Sequence, residues 1–332
     1  MTIAIRRTTG GSAAPTRTRA VRLSLAAAAA GLVLAGCASG PAQAGSAAIV
    51  GNTAIPLSTV QQELDAAVSS QAAVKQAQAQ GQLDQVSREI LTEQVMHKVT
   101  AAAAGQYRLA VTDAQLDKYI SASGGIDKLT SPDLSAADRR STARDQLIEA
   151  EYATGFVDSL AVNFDYFQAQ TQADALSEAK QVAATPGMFQ TIASSVASQG
   201  GDANMGLSVK LSQYVANPQS SDLAPLFGAK PNTVIVFSPN LGQAQSQPVW
   251  YVMRINSRTG ATRTATPSAA AGTASTPVLA TVGASLLRPV ADSLDVRISP
   301  RYGVWDSASL EVAPAAQEGS VAEFPASPAA KK

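Results

Sequence analysis

The sequence predicts an α+β protein that is mainly α: a helical block, then a unit mixing strands and helices, then a further helix toward the C-terminus. Three observations predict it. Apolar residues recur at helical spacing from Leu57 to Leu160, alternate in strand fashion at Val162, Phe164 and Tyr166, and regain helical spacing from Val278 to Leu294. A length of 332 residues accommodates two domains, or one with a large insertion.

Charge and rare residues narrow the function. Lys plus Arg number 25, Asp plus Glu 25, and there is one His and one Cys. A disulfide framework and an intrachain cysteine or histidine zinc cluster are thereby excluded. The five charges before Cys37 are all arginines, at 6, 7, 17, 19 and 22; without them 20 basic residues face 25 acidic ones, a net of −5. That balance disfavours nucleic-acid binding. The arginines precede an uncharged apolar run from Leu23 to Ala35, too short to span a bilayer comfortably and flanked as a secretory signal is. Its ending, Leu34-Ala35-Gly36-Cys37, resembles a bacterial lipobox. The resemblance implies that residues 1–36 are a lipoprotein signal peptide and that Cys37 is lipidated, anchoring the protein to the outer face of the cell membrane.

Residues 37–47, rich in Ala, Ser and Gly, read as a flexible tether. Ala47 to Ile55 then suggests a strand and turn, with Gly51-Asn52 at the turn. Ser58 and Gln61 suggest a capping box before a helix carrying Leu57, Val60, Leu64 and Val68. A second helix is expected from Gln82 to Ala104, its apolar face built on Val86, Ile90, Leu91, Val95 and Val99 and its stop at Gly105. Thr112 with Gln115 supplies another cap, and Ser135 begins a long helix with Leu147, Ile148, Tyr152, Phe156 and Leu160 on one stripe. His97, the single histidine, falls in the second helix and reads as a partly buried helix position.

The order of these signatures resembles a family. Ala48 to Ile55 followed by an amphipathic helix, then Leu109-Ala110-Val111-Thr112-Asp113-Ala114-Gln115-Leu116, is similar to the N-terminal domain of SurA- and PrsA-type extracytoplasmic foldases. The resemblance covers about residues 48–160 and implies a helical chaperone domain.

The period changes at residue 161. A strand through Phe164 and Tyr166 leads to helical stripes over Ala173 to Val182 and Met188 to Val196, and then to a Gly200-Gly201 loop. Val234 to Phe237 and Val249 to Ile255 read as strands. This order resembles the parvulin-type prolyl isomerase unit carried by the same foldases, over residues 161–258. Met188 to Ala193, the Gly200 to Gly206 turn, Leu226 to Val234 and Trp250 to Ile255 carry the likeness. Parvulin-type sites place one His on the first strand and one on the last, regions that here are Asn163 to Phe167 and the vicinity of Tyr251, and neither contains His. The resemblance therefore implies a degenerate unit. Strand alternation puts Asp165, the one candidate substitute acid, on the solvent face.

Residues 259–276, rich in Ala, Thr and Ser, read as a linker, and Val278 to Leu294 as a helix that Pro289 kinks or ends. In the SurA-like arrangement such a segment, here residues 277–312, returns to complete the N-terminal domain. Val296 to Asp306 suggests a strand and turn that pairs with Ala48 to Ile55, with Arg301, Tyr302 and Trp305 as a packed edge in preference to a recognition surface. Residues 313–332, rich in Ala and Pro, read as a disordered tail.

The expected function is a membrane-anchored extracytoplasmic chaperone of the holdase kind. It would bind unfolded or secreted polypeptides and use no nucleotide, nucleic acid, cofactor or metal. The alternatives are an active peptidyl-prolyl isomerase with an unorthodox site and a non-catalytic envelope scaffold. The absence of paired histidines weighs against the enzyme.

Overall fold

A computed structural model describes residues 45–130, 134, 136–217, 223–238, 249–264, 274–314 and 321–326. The signal segment and Cys37 lie outside them. Strand β1 (Ser46–Val50) begins inside the expected tether and turns at Gly51-Asn52 into β2 (Thr53–Pro56). Gly51 takes a positive φ of 57°, which glycine adopts at little cost.

Helix α1 (Leu57–Ser70) follows without a break. Its cap is Pro56, with no side-chain bond, so the box expected at Ser58 and Gln61 does not form. Proline's fixed φ and missing N–H suit this edge, and the helix opens two residues earlier than the Ser58 signal implies. After α2 (Ala72–Ala79), α3 (Leu83–Tyr107) runs past Gly105 and ends where Arg108 adopts a left-handed φ of 56°. Gly105 remains helical because one glycine weakens a helix without ending it. The box at Thr112 and Gln115 is present and starts α4 (Asp113–Ala122). Helix α5 (Ala136–Thr154) completes the block, after a 3₁₀ turn at Ile126–Lys128.

The middle block is a five-stranded antiparallel sheet. Strand β3 (Ala161–Ala169) is followed by α6 (Gln172–Ala184), α7 (Met188–Ser198) and β4 (Ala203–Lys210). Short helices α8 (Leu211–Ala216) and α9 (Ala224–Gly228) lead to β5 (Thr233–Phe237) and β6 (Trp250–Thr259). Strand β4 occupies what reads in the sequence as the end of a loop. Its side chains are exposed or half-buried, so no apolar alternation marks it; pairing with β3 makes it a strand.

Helix α10 (Thr276–Leu286) packs along α5, and α11 (Arg288–Ser293) begins with Pro289 in its first turn. The break between them falls where the proline requires it. Strand β7 (Arg297–Ile298) pairs with β1 through Ala48 and Ile298, and β8 (Val304–Asp306) forms a hairpin with β9 (Glu311–Ala313). The expected tail contributes a strand too: β10 (Val321–Pro325) pairs with β5, giving the sheet order β10-β5-β6-β3-β4. Its composition hides it, because the edge of β5 supplies the hydrogen bonds that Ala- and Pro-rich sequence does not advertise.

The helical block and the sheet share buried side chains. One core joins Leu91, Val95 and Val99 of α3, Leu279, Val282 and Leu286 of α10, and Phe164, Phe237, Met253 and Ile255 of the sheet. A second core on the sheet's other face joins Phe167, Val236 and Val252 to Ala179 and Val182 of α6 and Phe189 of α7. The sheet is a central layer of a mixed α+β fold within the compact unit Gln43–Lys332. The expected linker also packs at its start, Thr264 N–H donating to the Gly155 carbonyl at 2.8 Å. No helix among the described residues is long and apolar enough to cross a membrane.

Candidate functional site

On the sheet face toward the helical block, strand pairing lines up four aromatic rings. Phe164 and Tyr166 of β3 lie 6.4 Å apart, Tyr166 meets Tyr251 of β6 edge-on at 5.8 Å, and Tyr251 meets Phe237 of β5 at 6.2 Å. These separations match favourable aromatic pairing. Tyr166 and Tyr251 are half-buried, and Met205 on neighbouring β4 is 45% exposed. The Gly200-Gly201 turn delivers Asp202, whose carboxylate accepts from the Tyr166 hydroxyl at 2.8 Å. Burial, reinforced by Asp202, pushes the Tyr166 phenol up to about 12, and the same causes raise that of Tyr251. Both phenols stay neutral across the physiological range. The row offers flat apolar area, with no proton donor or acceptor poised near neutrality.

Asp165 lies on the opposite face and is 3% exposed, which corrects its expected solvent placement. The alternation assigns it to the side away from Phe164 and Tyr166, as observed, but helices cover that side as well. Its carboxylate accepts from Arg254 Nε at 2.9 Å and from the Gly206 amide at 2.7 Å. Arg254 in turn stacks over Phe189 at 4.8 Å and donates to the Pro186 carbonyl at 3.0 Å. Burial alone would raise the Asp165 carboxyl, but Gly206, Asn256 and Arg254 outweigh it and hold the group below the ordinary range. Asp165 is therefore an ionised clasp joining β3, β4, β6 and α7. It has no proton to give at neutral pH. A signal for it exists in the sequence: Asp165 is the one charge in β3, and Arg254 the one charge from Trp250 to Asn256.

His97 is half-buried, as expected, and lines an open cleft of about 400 Å3 with Glu93, Asp138, Asp145 and Glu149. Its Nδ1 meets Asp145 at 2.6 Å, and Ser141 Oγ lies 3.4 Å from the same nitrogen. A nucleophilic relay needs carboxylate and hydroxyl on opposite ring nitrogens, so this trio is not one. Among the described residues no group of three or more His, Cys, Asp or Glu could hold a metal ion.

The cluster makes a pH prediction. Desolvation, with Asp145 and Glu93 adding to it, pushes Glu149 up to about 8 against a hydrogen bond from Thr100, and desolvation with Asp138 pushes Glu63 up to about 7. Glu93 and Asp145 are raised by desolvation too, and the Asp145 hydrogen bond raises His97. For each, the folded state binds the proton more tightly than the unfolded chain, so stability falls as pH rises through the folded pKa. Thermal unfolding should therefore show a melting temperature that declines between pH 5 and pH 8, roughly the window these shifts define. Glu149→Gln keeps an acceptor for Thr100 and should flatten the decline, gaining roughly 2 kcal/mol at pH 8. A melting temperature that rises across the same window would contradict the assignment.

Near the C-terminus, Tyr302 is buried, Arg301 covers its ring at 5.9 Å, and Trp305 is half-buried, so these residues form the packed edge expected of them. Two pairings are invisible in the sequence: Asp202 with Tyr166, and Glu149 with Thr100. Neither follows from periodicity, since each joins distant elements. No protein-family model matches the chain, and no curated protein matches it significantly.

Proposed function

We propose that the chain is an extracytoplasmic holdase anchored through a lipid on Cys37, of SurA/PrsA type, with a parvulin-like unit that has lost its acid–base chemistry. The observation that carries the reading is the aromatic row. Tyr166 and Tyr251 stand in the strand regions where a parvulin-type site has its histidines; both are neutral phenols, and Tyr166 donates to Asp202. The strand followed by two helices and the two late strands support the reading, while β4 stands where it has a loop. The row suits apolar and prolyl side chains of extended segments, with the weak, sequence-tolerant affinity of a chaperone surface.

The test is aggregation of a chemically unfolded client in the presence of the chain from residue 38 onward. Suppression near equimolar ratio is expected, with Tyr166→Ala plus Tyr251→Ala weakening it severalfold. No suppression at several-fold excess would overturn the reading. A proline-peptide isomerisation assay should return the uncatalysed rate, because nothing in the row lowers a barrier of about 18–20 kcal/mol.

A further inference from the structure

Strand β10 fills a groove that is built for more than β10. Its five residues pair with β5 from Val321 opposite Phe237 to Pro325 opposite Thr233, and Ala326 N–H continues the ladder to the Asn232 carbonyl at 3.0 Å. The side chains alternate in role. Ala322 is buried in the core shared with α6, and Phe324 packs against that core with Lys180 Nζ 5.5 Å from its ring centre. Glu323 points the other way and pairs with Arg288 of α11, each side chain only 6% exposed.

The receiving side has capacity left over. Arg288 Nε and Trp305 Nε1 are both buried donors without a hydrogen-bond partner among the described residues. They line a cleft of about 760 Å3 beside β10, together with Lys230 and Asn232. A guanidinium with one donor direction unused can take a carboxylate through two parallel bonds, which Glu323 does not do. The strand itself is short, lies at the sheet edge, and is joined to Pro314 by six residues of sequence Ala-Ala-Gln-Glu-Gly-Ser.

We infer that the β5 edge with Arg288 and its cleft is a peptide-binding groove that reads an acidic residue followed by an aromatic one, and that β10 is its built-in ligand. The partner is an extended polypeptide segment of pattern small apolar, acidic, aromatic, added as a strand. Main-chain bonds to β5 supply affinity, and Arg288 and the Ala322 and Phe324 positions supply selectivity. The tethered strand competes at an effective concentration on the order of mM, so the intact chain admits external peptides weakly. This groove lies at the other end of the sheet from Met205 and does not rest on the holdase reading.

The experiment is fluorescence anisotropy with a labelled peptide of sequence Ser-Val-Ala-Glu-Phe-Pro-Ala-Ser, titrated with the full chain and with its Glu323→Gln variant. The variant loosens β10, and binding at least tenfold tighter than to the unaltered chain is expected. Replacing the peptide's glutamate by glutamine should abolish that gain. Equal affinity for both chains, or for both peptides, overturns the proposal, as does dimerisation of the variant without peptide uptake, which assigns the groove to a second copy. Should Glu323→Gln fail to fold, hydrogen exchange on the unaltered chain decides: β10 amides should exchange at least tenfold faster than those of β6, and equal protection overturns it.

Discussion

Asp165→Ala is expected to destabilise the protein by about 3 kcal/mol, measured by chemical denaturation at pH 7. The carboxylate is 4% exposed, while its partner Arg254 is 26% exposed, so the loss sits at the lower end of what breaking a buried ion pair costs. Three groups lose their acceptor together: Arg254 Nε and Nη2, and the Gly206 amide at the bend of β4. Arg254 retains the Pro186 carbonyl and the Phe189 ring, which limits the damage. Asp165→Asn preserves an acceptor for Gly206 and removes only the charge, and should cost about half as much. Equal effects of the two would mean that charge contributes nothing. Because the Asp165 carboxyl is held low, its contribution is present above the ordinary Asp value of 3.8 and is lost as pH falls through the folded pKa.

Gly283→Ala should cost about 2 to 4 kcal/mol, an unusually large effect for one methyl group. Gly283 is where α10 crosses α5, and a Cβ there would lie 2.0 Å from the Glu149 carbonyl oxygen. A flexible side chain could swing aside, but this obstacle is backbone, so the helices must separate and the core between them loosens. Gly228 permits a similar close approach between α9 and α10, where a Cβ would lie 2.3 Å from the Ser285 oxygen. Gly105 provides the control. It lies exposed in α3 with nothing within 4 Å, and Gly105→Ala should stabilise by roughly 0.5 to 1 kcal/mol. Opposite signs for the two substitutions in thermal melts are the expected outcome; a neutral Gly283→Ala would show that α10 does not need its close approach.

What the sequence discloses and what it conceals divide along one physical line. Elements whose stripe faces a core on one side are legible: α3 through Leu91, Val95 and Val99, α10 through Val282 and Leu286, and the β1 to β7 pairing through its short apolar runs. Elements that exist because a neighbour offers hydrogen bonds are not. Strand β4 contains Asn204, Gly206 and Ser208, and β10 lies in Ala- and Pro-rich sequence; each becomes a strand by completing a ladder begun elsewhere. Asp165 belongs to a third case. Alternation gives the side of the strand correctly, but it cannot say whether helices cover that side, and here α6 and α7 do. The aromatic row is legible as residues and illegible as a site, because Tyr166, Tyr251 and Phe237 meet only once three strands are in register, with Asp202 brought in by the turn before β4.

The joining of α10, β7 and β9 to the first helices has a consequence for how the molecule comes into being. Val312 N–H donates to the Thr92 hydroxyl at 2.9 Å across 220 positions of sequence, and Ala48 waits for Ile298. Contacts of this span carry the largest loop-closure cost and slow the search for the native state. During synthesis the chain appears N-terminus first, so the Leu91, Val95 and Val99 stripe is on display until the segment from Thr276 to Val312 has emerged. The helical block is thus made before the segment that completes it, and in that interval its apolar stripe is uncovered.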